Sequence, residues 1–321
     1  MQTILVGAGD DLWERDWIEF LFDGFDLQYV QPSECSFVKP STLLLSDSDG
    51  RYARTMRELL KKFSVCSTPV GIVHLSDEFC ECPIDFYRGA KFVVRNYYRP
   101  YAISLCDCIH VPLGYKSGFR RYIQEREVER RTHKWFFAGQ PKGKRTEMLT
   151  VAKAIPGGRW VTTSRWNDSN GLSVEEYARE MNNAVVALCP RGNNSVDSFR
   201  MYEALEAGAL PIVEDDGRFD QAMQVVHVPA GIRSWRPPGR IGRYSLPYRA
   251  MFGPSYWLSM YGSDFPVPRL YRWKALPRLL DDLDVASVSS AAIKWWGLVK
   301  QSACRQVRGA AKALLAGDGV V

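Results

Sequence analysis

At 321 residues, with 46% hydrophobic and 24% charged side chains, the chain is sized for two globular domains, and its composition excludes long disordered regions. The net charge of +6 suits an anionic substrate, and no block of lysines and arginines forms a nucleic-acid arm. No apolar run approaches the ~20 residues of a bilayer-crossing helix, so no transmembrane segment is expected.

Thr3 to Val6 is β-branched and apolar, which predicts a strand running into Gly7-Ala8-Gly9-Asp10. A strand beginning there leaves no room for a signal peptide, so a soluble cytoplasmic protein, or a domain cut from a longer one, is expected. The glycine turn lacks the third glycine of a dinucleotide fingerprint and reads as a cleft-lining turn before a helix from Asp11 to Phe22. Strands follow at Leu27 to Val30 and Thr42 to Leu45, the second ending in an acidic turn with Asp47, then a helix from Arg51 to Phe63. Val70 to Leu75 predicts a buried strand that delivers Ser76-Asp77-Glu78 at its carboxyl end, and Phe92 to Val94 and Cys108 to Val111 continue the alternation. Two Cys-x-Cys pairs, Cys80 with Cys82 and Cys106 with Cys108, have shorter spacers than typical zinc sites. Reduced, packed thiols and no metal are therefore expected.

Arg120 to Lys134 is dense in charge but interleaved with Glu125, Glu127 and Glu129, which predicts a solvated linker helix over 119–133. After a strand at Trp135 to Ala138 comes Gly139-Gln140-Pro141-Lys142-Gly143-Lys144-Arg145, a glycine turn bearing Lys142, Lys144 and Arg145 ahead of a helix from Thr146 to Ala154. Cations and amides in that place form either a phosphate site or a basic surface turn; the spacing is not that of an NTPase loop. Arg159 to Thr163 predicts a strand and Val174 to Asn182 a helix.

The segment from Ala184 to Glu214 is the most informative. An apolar run to Cys189, a polar turn from Pro190 to Asp197, Ser198 as helix N-cap, a helix from Phe199 to Ala207, a stop at Gly208 and an apolar run from Ala209 to Val213 make strand, loop, helix, strand. In a parallel sheet the first amides of that helix leave the carboxyl edge, where an anion can be held. Arg191 and Arg200 can pair with phosphate, and Glu203 can accept from ribose hydroxyls. Arg200 and Glu203 can equally form an ordinary helix-surface pair.

The string Cys189-Pro190-Arg191-Gly192, Asp197-Ser198-Phe199-Arg200, Glu203-Ala204-Leu205-Glu206-Ala207-Gly208 and Leu210-Pro211-Ile212-Val213 resembles the donor-sugar motif of exostosin-type glycosyltransferases, family 47. Together with His74 to Glu78, Val94 to Tyr97 and Pro112 to Tyr115, it is most similar to the ribitol-phosphate xylosyltransferase branch. The resemblance spans about residues 70 to 280 and implies a GT-B architecture, with two Rossmann-like α/β domains facing a cleft. It further implies inverting transfer of a sugar, with xylose as the sugar of this branch, from a UDP-sugar to a glycan or polyol hydroxyl, with no cofactor required. Donor contacts would come from Gly139, Lys142, Lys144, Arg145, Arg191, Gly192, Asn193, Ser198, Phe199, Arg200 and Glu203, with Arg145 on the diphosphate. A general base is expected from Asp77 or Glu78, with Asp77 preferred and Asp10 and Asp47 as rivals. A binding module that keeps the fold without turnover is the alternative.

From Asp215 to Trp257 the chain is rich in Gly, Pro, Arg and aromatic residues, including Trp235, Tyr244, Tyr248, Tyr256 and Trp257, which read either as sugar-stacking or as surface-plugging groups. Phe265-Pro266 and Trp273 to Leu283 continue the family pattern, and Ala291 to Leu315 predicts one or two helices with Trp295 and Trp296 on the apolar face. The expected domains are 1–118 on the acceptor side, 134–290 on the donor side, and C-terminal helices at 291–321 crossing back to the first domain.

Overall fold

Short apolar runs suit the interior strands of parallel sheets, and β4 (Val70–Leu75) is buried along its whole length. The computed structural model describes residues 2–7, 13–30, 41–46, 58, 61–62, 65, 69–78, 84–97, 102, 105–165, 169–193, 195–215, 260–261 and 264–316. These fall into two compact units, one holding residues to 113 and from 299 onward, the other holding 114–298.

In the first unit, β1 (Gln2–Gly7), β2 (Phe25–Val30), β3 (Ser41–Ser46), β4, β5 (Phe92–Arg95) and β6 (Cys108–His110) form one parallel sheet in the order β2-β1-β3-β4-β5-β6. Helix α1 (Arg15–Leu21) begins later than the predicted Asp11 and buries Trp17, Ile18 and Leu21. The Trp17 indole donates to the carbonyl of Pro112 at 3.1 Å.

The second unit carries β7 (His133–Gly139), α2 (Lys144–Lys153), β8 (Gly158–Thr162), α3 (Val174–Asn182), β9 (Ala184–Cys189), α4 (Phe199–Glu206), β10 (Leu210–Glu214), β11 (Arg269–Leu270) and α5 (Leu276–Asp282). Its parallel sheet runs β11-β10-β9-β7-β8. Helix α3 starts where expected because Ser173 and Glu176 form a reciprocal cap, side chain to amide in both directions. Helix α6 (Val285–Ala316) is one continuous helix, its residues to 298 belonging to the second unit and those from 299 to the first.

The strand order positions the site. From β7 the chain moves to β8 on one side, then returns to lay β9 on the other side of β7. The connections leaving β7 and β9 therefore go to opposite sides, so the carboxyl edge between them is a topological switch point, the place where open α/β sheets bind ligands.

One expectation is corrected. The charged stretch 119–133 is not a helix; it holds only two three-residue 3-10 turns, Arg120–Tyr122 and Val128–Arg130. Its polar groups are spent on the end of α3: the Gln124 backbone amide donates to Asn182 Oδ1 at 3.2 Å, and the Arg126 side chain donates to Asn183 Oδ1. The buried Arg131 guanidinium donates to the carbonyls of Asn182, Ala184, Ala207 and Arg126. Such fixed partners hold the backbone extended, against the helix that charge alternation alone would favour. The turn residues Ala8, Gly9 and Asp10, the Asp47 turn, most of the helix expected from Arg51 to Phe63, Cys80 and Cys82, and the aromatic stretch 216–257 lie outside the described residues.

Candidate functional site

The predicted donor residues gather at the carboxyl edge of the second unit's sheet. Gly139 is the last residue of β7, with φ of 147°, and a Cβ there would sit 3.0 Å from Arg200 Nη2. Its missing side chain lets Arg200, in the first turn of α4, reach the end of β7. Arg200 donates to the carbonyl of Ala138 at 2.9 Å and lies over the Phe137 ring, its guanidinium carbon 4.9 Å from the centroid. The loops after β7 and β9 are thereby stitched together.

A second junction joins the β7, β9 and β10 ends. Arg145, buried in the first turn of α2, donates through Nε and Nη2 to the carbonyl of Arg191, at 3.1 and 2.8 Å. The Arg191 amide donates to Glu214 Oε2 at 3.2 Å, while Lys144 Nζ pairs with Glu214 Oε1 at 2.9 Å. Trp273 Nε1 also reaches Glu214 Oε2, at 3.4 Å. Glu214 is 1% exposed, so two amine or amide donors and an indole hold a buried carboxylate at the strand end. Sequence reasoning missed Glu214; its one signal was an acidic residue closing an otherwise apolar strand.

The loop between β9 and α4 is short and internally tied, with the Gly192 amide on the Ser195 carbonyl at 2.6 Å and the Asp197 amide on Ser195 Oγ at 3.1 Å. Asn193 is exposed in this loop, and Lys142 is exposed in the loop after β7. Ser198 occupies the N-cap position of α4 in extended backbone geometry, but its side chain does not cap the helix. Ser198 Oγ and Arg200 Nε are both buried, and neither meets a hydrogen-bond partner among the described residues. Phe199, half-buried, lies between them. Buried polar atoms are ordinarily satisfied, so Ser198 Oγ and Arg200 Nε are exceptions that fall within three residues of the helix start.

Glu203 lies one turn further along α4 and is buried. Its Oε2 accepts from the Tyr177 hydroxyl at 2.9 Å and its Oε1 from the Lys116 amide at 3.3 Å. Burial raises its pKa, and the bonds from Tyr177 and Lys116 pull it part of the way back. Each oxygen retains a second lone pair, so ligand hydroxyls can still be accepted.

The two carboxylates at the end of β4, in the first unit, differ sharply in environment. Asp77 is 1% exposed and takes a hydrogen bond from Arg95 Nη2 at 3.0 Å; Arg95 Nη1 also donates to the Tyr87 hydroxyl at 2.9 Å. Glu78 is half-buried, reached through a turn in which Ser76 adopts a left-handed φ of 62°. The Ser76 amide is held by Asn96 Oδ1 at 3.0 Å and its hydroxyl by the buried Glu14. Cys106 and Cys108 are free thiols, and no cluster of three or more His, Cys, Asp or Glu suited to a metal occurs among the described residues. No helix among them is long and apolar enough to cross a membrane.

A family model described as the RXYLT1 C-terminal domain matches residues 128–229, about a third of the chain, and this stretch takes in β7 through β10 with every predicted donor residue. A solved structure titled "Crystal Structure of alpha1,3-Fucosyltransferase" is similar at 9% sequence identity over 98% of this chain and 90% of that one, with a TM-score of 0.43. Among curated proteins, none matches the chain significantly.

Proposed function

We propose that the chain is a glycosyltransferase of the exostosin type that takes its sugar from a nucleoside diphosphate donor bound at the second unit's carboxyl edge. The observation carrying this reading is the pair of unsatisfied buried atoms, Ser198 Oγ and Arg200 Nε, at the uncapped start of α4. A diphosphate there accepts from the serine hydroxyl, the guanidinium and the first-turn amides, and its charge suits the helix dipole. The match of residues 128–229 to the RXYLT1 C-terminal domain supports the same assignment, and UDP-xylose is the donor we favour.

In this reading the sheet edge does two things. It orients the anomeric carbon, through Glu203 on the ribose and the loop 190–198 on the diphosphate. It also offsets the negative charge that grows on the leaving diphosphate, through Arg200, Arg191 and the amides, a pre-set field that needs little reorganisation. Arg145 and Lys144 act mainly by fixing Arg191 and Glu214. For the acceptor hydroxyl we place the base on Glu78, because Asp77 is committed to Arg95; a carboxylate removes the hydroxyl proton as the new glycosidic bond forms with inversion.

A thermal-shift panel of nucleotide sugars followed by product analysis tests the proposal. A ligand at about 100 times its Kd stabilises the native state by roughly 2.7 kcal/mol. A UDP-sugar that raises the melting temperature and is consumed in the presence of polyol or glycan acceptors is the expected result. Stabilisation without transfer or hydrolysis would make the chain a binding module, and no response to any nucleotide would remove the donor reading.

A further inference from the structure

The loop 190–198 is held from behind by a chain of hydroxyls. Tyr202, fully buried on α4, places its hydroxyl 3.3 Å from Asp197 Oδ2 and 2.5 Å from the hydroxyl of Tyr261, which lies 59 residues further along the chain. A carboxylate only accepts, so the single Tyr202 proton is spent on Asp197, and Tyr261 must donate to Tyr202. Asp197, at 1% exposure, is the last loop residue before the Ser198 helix start, and its own amide is tied to Ser195. The direction of the chain is therefore Tyr261 to Tyr202 to Asp197 to loop. Hydrogen bonds in series inside a protein polarise one another, so the far end affects the near one.

Both tyrosine rings are fixed. Tyr261 stacks on Phe265 with centroids 5.6 Å apart and meets Trp295 edge-on at 4.9 Å. Tyr202 packs on Trp296 at 5.3 Å, and the Trp296 indole donates to Glu206 Oε2 at 2.8 Å. Desolvation holds the Tyr261 hydroxyl protonated, with the Asp197 charge acting the same way. The hydroxyl is thus a permanent donor in a fixed place.

We infer that Tyr261 is a positioning residue for the donor loop, acting through Tyr202 and Asp197 to set the geometry of residues 190–198. The inference rests on the donor reading for its functional consequence, though not for the coupling itself. Tyr261 bonds to Tyr202, which bonds to Asp197, so its influence on the loop runs through that hydroxyl and falls on binding geometry.

Amide hydrogen exchange of the full chain, combined with calorimetric titration of uridine diphosphate, tests it in Tyr261→Phe, Tyr202→Phe and Trp295→Phe. Loss of either tyrosine hydroxyl should speed exchange across 190–198 by about tenfold or more while helix α3 exchanges as before. Weaker binding of uridine diphosphate and a raised donor KM should follow, with kcat little changed. Trp295→Phe disturbs the same aromatic packing but spares the hydroxyl chain, so its loop should exchange as in the wild type. Unchanged loop exchange in both tyrosine variants overturns the inference, as does an equal response in Trp295→Phe. If the wild type does not bind uridine diphosphate while the exchange response persists, the donor reading fails and the coupling stands.

Discussion

Arg145 places two guanidinium nitrogens on one backbone oxygen, the carbonyl of Arg191, at 3.1 and 2.8 Å. The same peptide segment is held from its amide side by Glu214, itself paired with Lys144. Arg191 is thus fixed by its backbone, and its half-exposed side chain is presented by a loop anchored to the starts of α2 and the end of β10. We therefore propose that Arg145 acts more as a brace than as a ligand. Arg145→Lys keeps the charge but loses the fork. We expect it to raise the donor KM several-fold with the melting temperature lowered only modestly; steady-state kinetics with the donor varied is the check.

Asp77 and Glu78 are neighbours in sequence with different fates. Asp77→Asn leaves the buried Arg95 without its counter-charge, and removal of one partner from a buried pair costs about 3–5 kcal/mol. Glu78→Gln should stay folded and lower kcat by roughly 10²- to 10⁴-fold, the range for a lost general base. Urea unfolding and transfer rates measured on both variants separate the two effects. A fully active Glu78→Gln would remove the base assignment.

Gly208 ends helix α4 with φ of 69°, and a Cβ there would lie 2.7 Å from Arg131 Nη2. Arg131 in turn satisfies the carbonyls at the end of α3, the start of β9 and the end of α4. Gly208→Ala should destabilise by about 1–2 kcal/mol from backbone strain alone, and by more if the guanidinium is displaced. Arg131→Met should cost on the order of 3 kcal/mol by leaving buried carbonyls unpaired. Equilibrium denaturation measures both.

The parts of the molecule that depend on local apolar pattern were legible in the residues themselves. β4, α3 and β9 fall on the predicted bounds because each is a clean run, or a capped helix, whose burial its own side chains dictate. The stretch 119–133 was not, because the Gln124 backbone amide, Arg126 and Arg131 find partners at Asn182, Asn183 and Ala184, more than fifty residues away. The site divides in the same way. The Ser198 helix start and Arg200 stand out by spacing, whereas the Lys144–Glu214 pair joins residues 70 apart and exists only once β7, β9 and β10 lie side by side.

Acid should weaken the first unit through His110. Desolvation, with the Arg95 charge adding to it, pushes the imidazole pKa down to about 3 from an ordinary value near 6.5. The unfolded chain binds a proton below pH 6.5 that the folded chain refuses until about 3, so stability falls as pH drops through that window. At pH 5 the loss is on the order of 1–2 kcal/mol. Glu203 works in the opposite sense, since its raised pKa makes the folded state bind a proton more readily. Comparing wild type with His110→Gln by urea unfolding at pH 7 and pH 5 isolates the histidine; the variant should lose less stability on acidification.

In the proposed function a diphosphate binds at the start of α4. A crystal structure of the protein with uridine diphosphate tests it most directly. Diphosphate oxygens should lie within hydrogen-bonding distance of Ser198 Oγ, the Arg200 guanidinium and the first-turn amides, with Glu203 facing the ribose. Nucleotide bound elsewhere, or a vacant pocket at saturating concentration, would contradict it.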